Sequence, residues 1–258
     1  ELLRTYTYDA DFISAFETTN LAAYGQFSFA FNDSLSLVAG LRREQRRADY
    51  SDNRNAIFSP KDNSWGGKVS LEHRSAEGRL VYALLSRGYK AGGFNSDPSI
   101  PESRRTFDTE FMWNYEIGIK DQLLNDTVQF QVALFYQDRE DIQVKQSIVN
   151  ASNGDLCPCD FTDFTDNAAS GYNYGLEVAI NVFINERLSV FANLGLLETA
   201  YEDYLSYNHV DFDDEAEVPE PIDLDGRDQA HAPSYQFALG ADFSIGENGY
   251  GSITLEGK

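Results

Sequence analysis

The chain has 258 residues, with 42 Asp and Glu against 20 Lys and Arg and a formal charge of −22. That balance excludes a nucleic-acid surface, which needs clustered cations to meet phosphate. The 18 Phe and 15 Tyr against 1 Met, with glycines scattered through apolar segments, point to an all-β protein, and no run approaches the roughly 18 consecutive apolar residues of a membrane helix.

Taken in chain order, period-2 alternation predicts ten strands, near 20–31, 35–50, 64–74, 79–91, 111–122, 127–147, 170–184, 188–200, 234–245 and 251–258. The segment 127–137 is the clearest: Val128, Phe130, Val132, Leu134 and Tyr136 share one face, and Thr127, Gln129, Gln131, Ala133 and Gln137 the other. At 172–182 the same rhythm places Glu177 in the middle of the face opposite Tyr172, Tyr174, Leu176, Val178, Ile180 and Val182. The connections alternate in length. Short turns are expected at 32–34, 75–78, 123–126, 185–186 and 246–249, and long polar loops near 51–63, 92–110, 148–169 and 201–233. An up-and-down meander with short turns at one end and long loops at the other is the anatomy of a transmembrane antiparallel barrel, whose greasy face meets lipid and whose polar face lines the lumen. Several predicted strands exceed the 9 to 11 residues that cross a bilayer at a tilt. Tyr24, Phe31, Tyr82, Trp113, Tyr115, Tyr136, Tyr172 and Tyr174 are expected to include members of the interfacial aromatic girdles.

The run Leu84-Leu-Ser-Arg-Gly-Tyr-Lys-Ala-Gly-Gly-Phe-Asn95 resembles a barrel strand and following loop of the TonB-dependent receptors. Further segments resemble that family in the same order: Asn114-Tyr-Glu-Ile-Gly-Ile-Lys120, Val132-Ala-Leu-Phe-Tyr-Gln-Asp-Arg-Glu-Asp-Ile-Gln143, Ala168-Ala-Ser-Gly-Tyr-Asn-Tyr-Gly-Leu-Glu177 and Ala232-Pro-Ser-Tyr-Gln-Phe-Ala-Leu-Gly240. The resemblance implies an outer-membrane location and a 22-stranded barrel closed by a globular plug, of which residues 1–258 would be a portion of about ten strands. The chain starts without a signal peptide or initiator Met and ends in what reads as a strand, so a fragment is expected, with the plug and the TonB-contacting region outside it.

The implied activity is energised import of a scarce nutrient, commonly a ferric siderophore, with TonB, the ligand and outer-membrane lipid as partners. A passive porin or channel, and a soluble β-sandwich adhesin, are the competing readings. The candidate ligand contacts are Arg87, Tyr89, Lys90, Phe94, Asn95, Arg104 and Arg105, which offer cations and aromatics to an anionic, catecholate-type ligand. Alternatively, Arg87 and Lys90 pair with lumenal carboxylates such as Glu116 or Glu72.

No catalytic residues, cofactor or metal site are expected. Gly92-Gly93 opens no helix and is not a phosphate loop, no serine sits in a Gly-x-Ser-x-Gly elbow, and His73, His209 and His231 have no ligand spacing. The acidic run 201–228, with Arg227 its single basic residue, reads as a solvated loop or a Ca²⁺ site without regular ligand spacing. Cys157 and Cys159, separated by Pro158, are either two thiols or a strained loop disulfide.

Overall fold

The computed structural model describes residues 12–150, 160–206, 222–245 and 249–258. Cys157, Cys159 and the middle of the acidic run lie outside them. The strands are β1 (Ser14–Ala30), β2 (Leu35–Asp52), β3 (Ile57–Phe58), β4 (Lys61–Arg74), β5 (Leu80–Lys90), β6 (Gly93–Phe94), β7 (Thr106–Phe107) and β8 (Glu110–Leu123). They continue with β9 (Val128–Asn150), β10 (Asp160–Asn185), β11 (Leu188–Glu202), β12 (Leu205–Ser206), β13 (Ile222–Asp223), β14 (Tyr235–Ile245) and β15 (Gly249–Gly257). Ten of them form one meander in the order β1-β2-β4-β5-β8-β9-β10-β11-β14-β15, with β3 added on β2. Every pairing is antiparallel, so the predicted all-β meander is the observed one.

The register carries one apolar face across the sheet. Leu37, Leu71, Ala83, Ile117, Leu134, Leu176, Leu196 and Tyr235 are successive cross-strand partners. Many of these side chains are open: Ile117 is 57% and Leu134 50% exposed. The total accessible surface is 18180 Å², against about 11,000 Å² expected of a compact soluble protein of this mass. An apolar surface this open on a sheet of this width is a face made for lipid rather than for a core. The opposite face is polar and concave. A hollow of about 570 Å³ touches Tyr82, Glu116, Lys120, Glu177, Asn193 and Glu256, which come from β5, β8, β10, β11 and β15.

Local chemistry explains the tight ends. At the β1–β2 turn the Asn32 Oδ1 accepts hydrogen bonds from the backbone N–H groups of Ser34 (2.9 Å) and Leu35 (2.8 Å), an Asx turn. Between β4 and β5, Gly78 takes φ +94°, which a side chain would resist.

Two expectations change. The predicted loop at 148–169 is largely strand, because 142–150 pairs with 160–169 and continues the β9–β10 hairpin far beyond the band. Its Thr, Asp and Asn residues break the apolar alternation and so read as loop, yet backbone pairing needs no apolar side chain. Among the expected girdle residues, Trp113, Tyr115, Tyr136, Tyr172 and Tyr174 do share the greasy face. Tyr115–Tyr136 and Tyr136–Tyr172 have ring centroids 6.3 and 6.1 Å apart. Tyr24 and Tyr82 instead face the polar side, Tyr24 under the Arg42 guanidinium and Tyr82 donating to Glu116 at 2.6 Å.

Candidate ligand-facing site at the long-loop end

The segment 91–109 leaves β5 and turns onto the polar face. Gly92 and Gly93 make that turn possible: a Cβ on Gly92 would lie 2.4 Å from the Phe107 carbonyl oxygen, and one on Gly93 2.5 Å from the Phe107 ring. The two-residue ladder of β6 with β7 then closes the loop on itself. Arg46, from the polar face of β2, donates to the Gly92 carbonyl at 2.8 Å and to Asp62 at 3.1 Å.

The seven residues singled out in the sequence fall into distinct positions. Asn95 is a pin. Its Nδ2 donates to the carbonyls of Arg104 and Thr165, each at 2.8 Å, while its Oδ1 accepts from the Thr165 N–H at 2.9 Å, so the loop is tied to β10 as a strand would be. Phe94 stacks on Phe58 at 5.0 Å and leans on Tyr50 at 4.8 Å. Arg105 donates to the carbonyls of Ile100 (3.0 Å) and Pro98 (2.7 Å), holding the loop's own bend. Arg104 lies 3.8 Å from Asp166 and over Phe164.

Tyr89 reaches the polar face at the place where β4–β5 pairing stops, just past Gly67↔Arg87. Its ring passes Gly66, where a Cβ would meet ring carbons at 3.2 and 3.3 Å, and its hydroxyl donates to Glu44 at 3.0 Å beside Arg42. Lys90 is exposed.

Arg87 is a correction to the sequence reading. Register sets it beside Gly67 and Trp113 on the greasy face, and its guanidinium sits 4.2 Å from the Trp65 ring and 3.9 Å from Phe111. It therefore neither lines the hollow nor pairs with Glu116 or Glu72, because alternation sends side chains one residue apart to opposite faces. Glu116 is engaged instead by Tyr82 and Asn114.

A polar belt that sequence reasoning missed holds the site together. Glu110, 7% exposed, accepts from Arg139 Nη2 at 2.5 Å and from the Gln143 N–H at 3.1 Å. The Gln143 side chain donates to the carbonyls of Ala91 and Asp108, and Asn167 donates to those of Asp108 and Asp141. Gln229, brought in from the β13–β14 segment, accepts from Arg139 and donates to the Ala200 carbonyl at 3.1 Å. The usable signal was the placement of Arg139 and Gln143 in the motif after Tyr136, where amides and a cation follow a greasy strand. Their partners are far away in sequence, so pairing was not legible.

Beneath this belt lies a small apolar core of Ile142, Val144, Ala169 and Tyr204, with Ile100 against Phe164 beside it. Burial pushes the Tyr204 phenol above its usual value. Asp97, in the loop, is held below the usual carboxylate range first by the Ser99 hydroxyl, which donates at 2.6 Å, against an opposing effect of burial. Among the described residues no group of three or more His, Cys, Asp or Glu is placed to hold a metal ion.

The chain is similar to the pesticin receptors of Yersinia enterocolitica and Yersinia pestis, 24% identical over 148 residues, which is 52% of this chain and 22% of either receptor. Its fold superposes on the ferric yersiniabactin uptake receptor FyuA from Yersinia pestis with a TM-score of 0.62 at 19% identity, covering 95% of this chain and 34% of that one. On the siderophore receptor PiuA from Acinetobacter baumannii the TM-score is 0.64 at 17% identity, covering 90% and 32%. The chain thus spans about a fifth of the length of these curated relatives and about a third of these solved receptors. The model of the family described as TonB dependent receptor-like, beta-barrel, matches residues 3–257, and with a greasy face, a polar concave face and folded-in loops already in place, the chain belongs to the TonB-dependent receptor β-barrel family of the outer membrane.

Proposed function

We propose that residues 1–258 are a portion of the barrel of an outer-membrane receptor that imports a scarce nutrient, a ferric siderophore, with energy delivered through TonB. The observation that carries this reading is the inward-folded 91–109 loop, pinned by Asn95 over a polar concave wall, in a chain whose structural neighbours include a ferric yersiniabactin uptake receptor and a siderophore receptor. A loop held at the mouth offers a preorganised surface to a bulky ligand, which lowers the ordering cost of binding. Lys90 and Tyr89 contact the ligand in this reading. Phe94, Asn95, Arg104 and Arg105 set the shape of the loop that presents them, and Arg87, on the other face, has no part in this reading.

The test uses the complete protein in a strain lacking its own copy. Radioiron uptake is followed with ferric catecholate, hydroxamate and phenolate siderophores, and radiocobalt uptake with labelled cobalamin as a further arm, before and after the proton gradient is collapsed. Uptake of one ferric ligand that stops on collapse supports the reading. Uptake that continues would indicate a passive channel, and no uptake of any ferric ligand would remove the siderophore assignment.

A further inference from the structure

On the greasy face, at its boundary with the long-loop end, two cations stand where lipid headgroups begin. Val69, Leu85 and Tyr115 form an exposed apolar cross-strand row, from 39% to 49% exposed, and Leu41, 61% exposed, stands one step nearer the loops opposite Gly67. Arg87 sits beside this row, and Arg43 follows Leu41 two residues further along β2, about 7 Å toward the loops. Arg43 is opposite Trp65 in the β2–β4 register.

Trp65, Phe111 and Trp113 cradle the Arg87 guanidinium at 4.2, 3.9 and 5.8 Å, so both tryptophans of the chain are spent here. One Arg87 nitrogen donates to the Trp65 carbonyl at 2.5 Å. Neither Arg43 nor Arg87 forms an ion pair among the described residues. Other charges on this face bound the patch. Asp138 and Glu140 lie on the β9 side of Trp113 and Phe111, and toward the loops Lys61 adjoins Arg47, itself paired with Asp49.

A guanidinium stacked on an aromatic face keeps in-plane donors directed outward, the geometry that grips a phosphate by two parallel bonds. Cations at a membrane boundary need such an anion, because hydrocarbon cannot solvate them. In an outer-membrane barrel the long-loop end is extracellular, and the outer leaflet there is built of phosphorylated glycolipid. We propose that Arg43 and Arg87, over the Trp65–Phe111–Trp113 cradle, bind the phosphate of an outer-leaflet glycolipid headgroup and fix the depth of this barrel wall in the membrane.

The test is native mass spectrometry of the full-length receptor in delipidating detergent, titrated with diphosphoryl lipid A, phosphatidylethanolamine or inorganic phosphate. Lipid A adducts are expected on the wild type, about tenfold fewer on the R43Q/R87Q double variant, and unchanged on K120Q, whose lysine lines the polar hollow. Retention of a heat-modifiable gel band shows that the double variant is folded. R87K, which keeps the charge and loses the planar stack, should fall between. Equal binding of phosphatidylethanolamine, undiminished lipid A binding by R43Q/R87Q, or displacement of lipid A by millimolar inorganic phosphate would each overturn the proposal.

Discussion

The band and the crown of this barrel segment are held by different physics. In the band, between the short turns and the Tyr115–Tyr136–Tyr172 ladder, large apolar side chains stay exposed and, among the described residues, the sheet has no apolar core of its own. Stability there comes from backbone pairing plus the surrounding lipid, since every strand N–H and C=O must be satisfied within the sheet. In the crown, Ile142, Val144, Ala169 and Tyr204 are buried, and the loop is locked by hydrogen bonds from amide and guanidinium groups. This part stands in water and must bury something, as any soluble structure must. One chain therefore follows two opposite rules for which side chains go outside.

The largest expected effect breaks the band rule. Ile117→Arg, on the greasy face, should destabilise the barrel by about 3 kcal/mol, whereas Gln131→Arg, on the polar face, should stay within about 0.5 kcal/mol. Refolding of the full-length protein into lipid vesicles with denaturant titration measures both. Equal costs would mean that the two faces are misassigned.

The crown should yield separately. Glu110→Ala leaves Arg139 without its carboxylate, with only Gln229 to meet it, and frees the Gln143 N–H, with an expected local cost of about 2 kcal/mol. Hydrogen exchange should then speed up in the loop-end halves of β9 and β10 and leave their lipid-facing halves unchanged. Global unfolding would show that the two regions are one cooperative unit. Asn95→Ala removes two hydrogen bonds between loop and β10 and one within the loop, and is expected to cost about 1.5 kcal/mol, read as faster proteolysis within 96–105 while the barrel stays resistant.

The smallest effect is a pH dependence confined to the crown. The Asp97 carboxyl has its pKa lowered in the fold, first by the Ser99 hydroxyl. Its stabilising contribution is therefore complete above the ordinary carboxylate range and is lost as pH falls through the lowered value. Exchange in the 96–105 loop should rise on acidification in the wild type. Asp97→Asn should flatten that rise, and an unchanged profile would remove Asp97 from the loop's support.

Much of the band was legible because its rule is local. Alternation in 127–137 and 172–182 names the two faces without knowledge of any partner, and the spacing of short turns sets which strands pair. The ten-strand meander follows from that alone. The resemblance around Leu84–Asn95 likewise marked the loop that folds inward, although the reason for its Gly-Gly pair became visible only with Phe107 packed against it.

The crown resisted reading from sequence, as its contacts are long-range and polar. Asn95 meets Thr165 across 70 positions, Arg139 meets Gln229 across 90, and no periodicity announces either. Arg87 shows the limit most clearly. By residue type it looked like a ligand-facing cation, but one step of strand parity places it among Trp65, Phe111 and Trp113 on the lipid side. The alternating pattern by itself determined an antiparallel sheet with one face for lipid and one for the lumen, because side-chain direction in a strand repeats every two residues. Which cations belong to which face, and how the loop is tied down, only the tertiary structure decided, because those outcomes depend on register and on partners that the chain brings together only when the sheet forms.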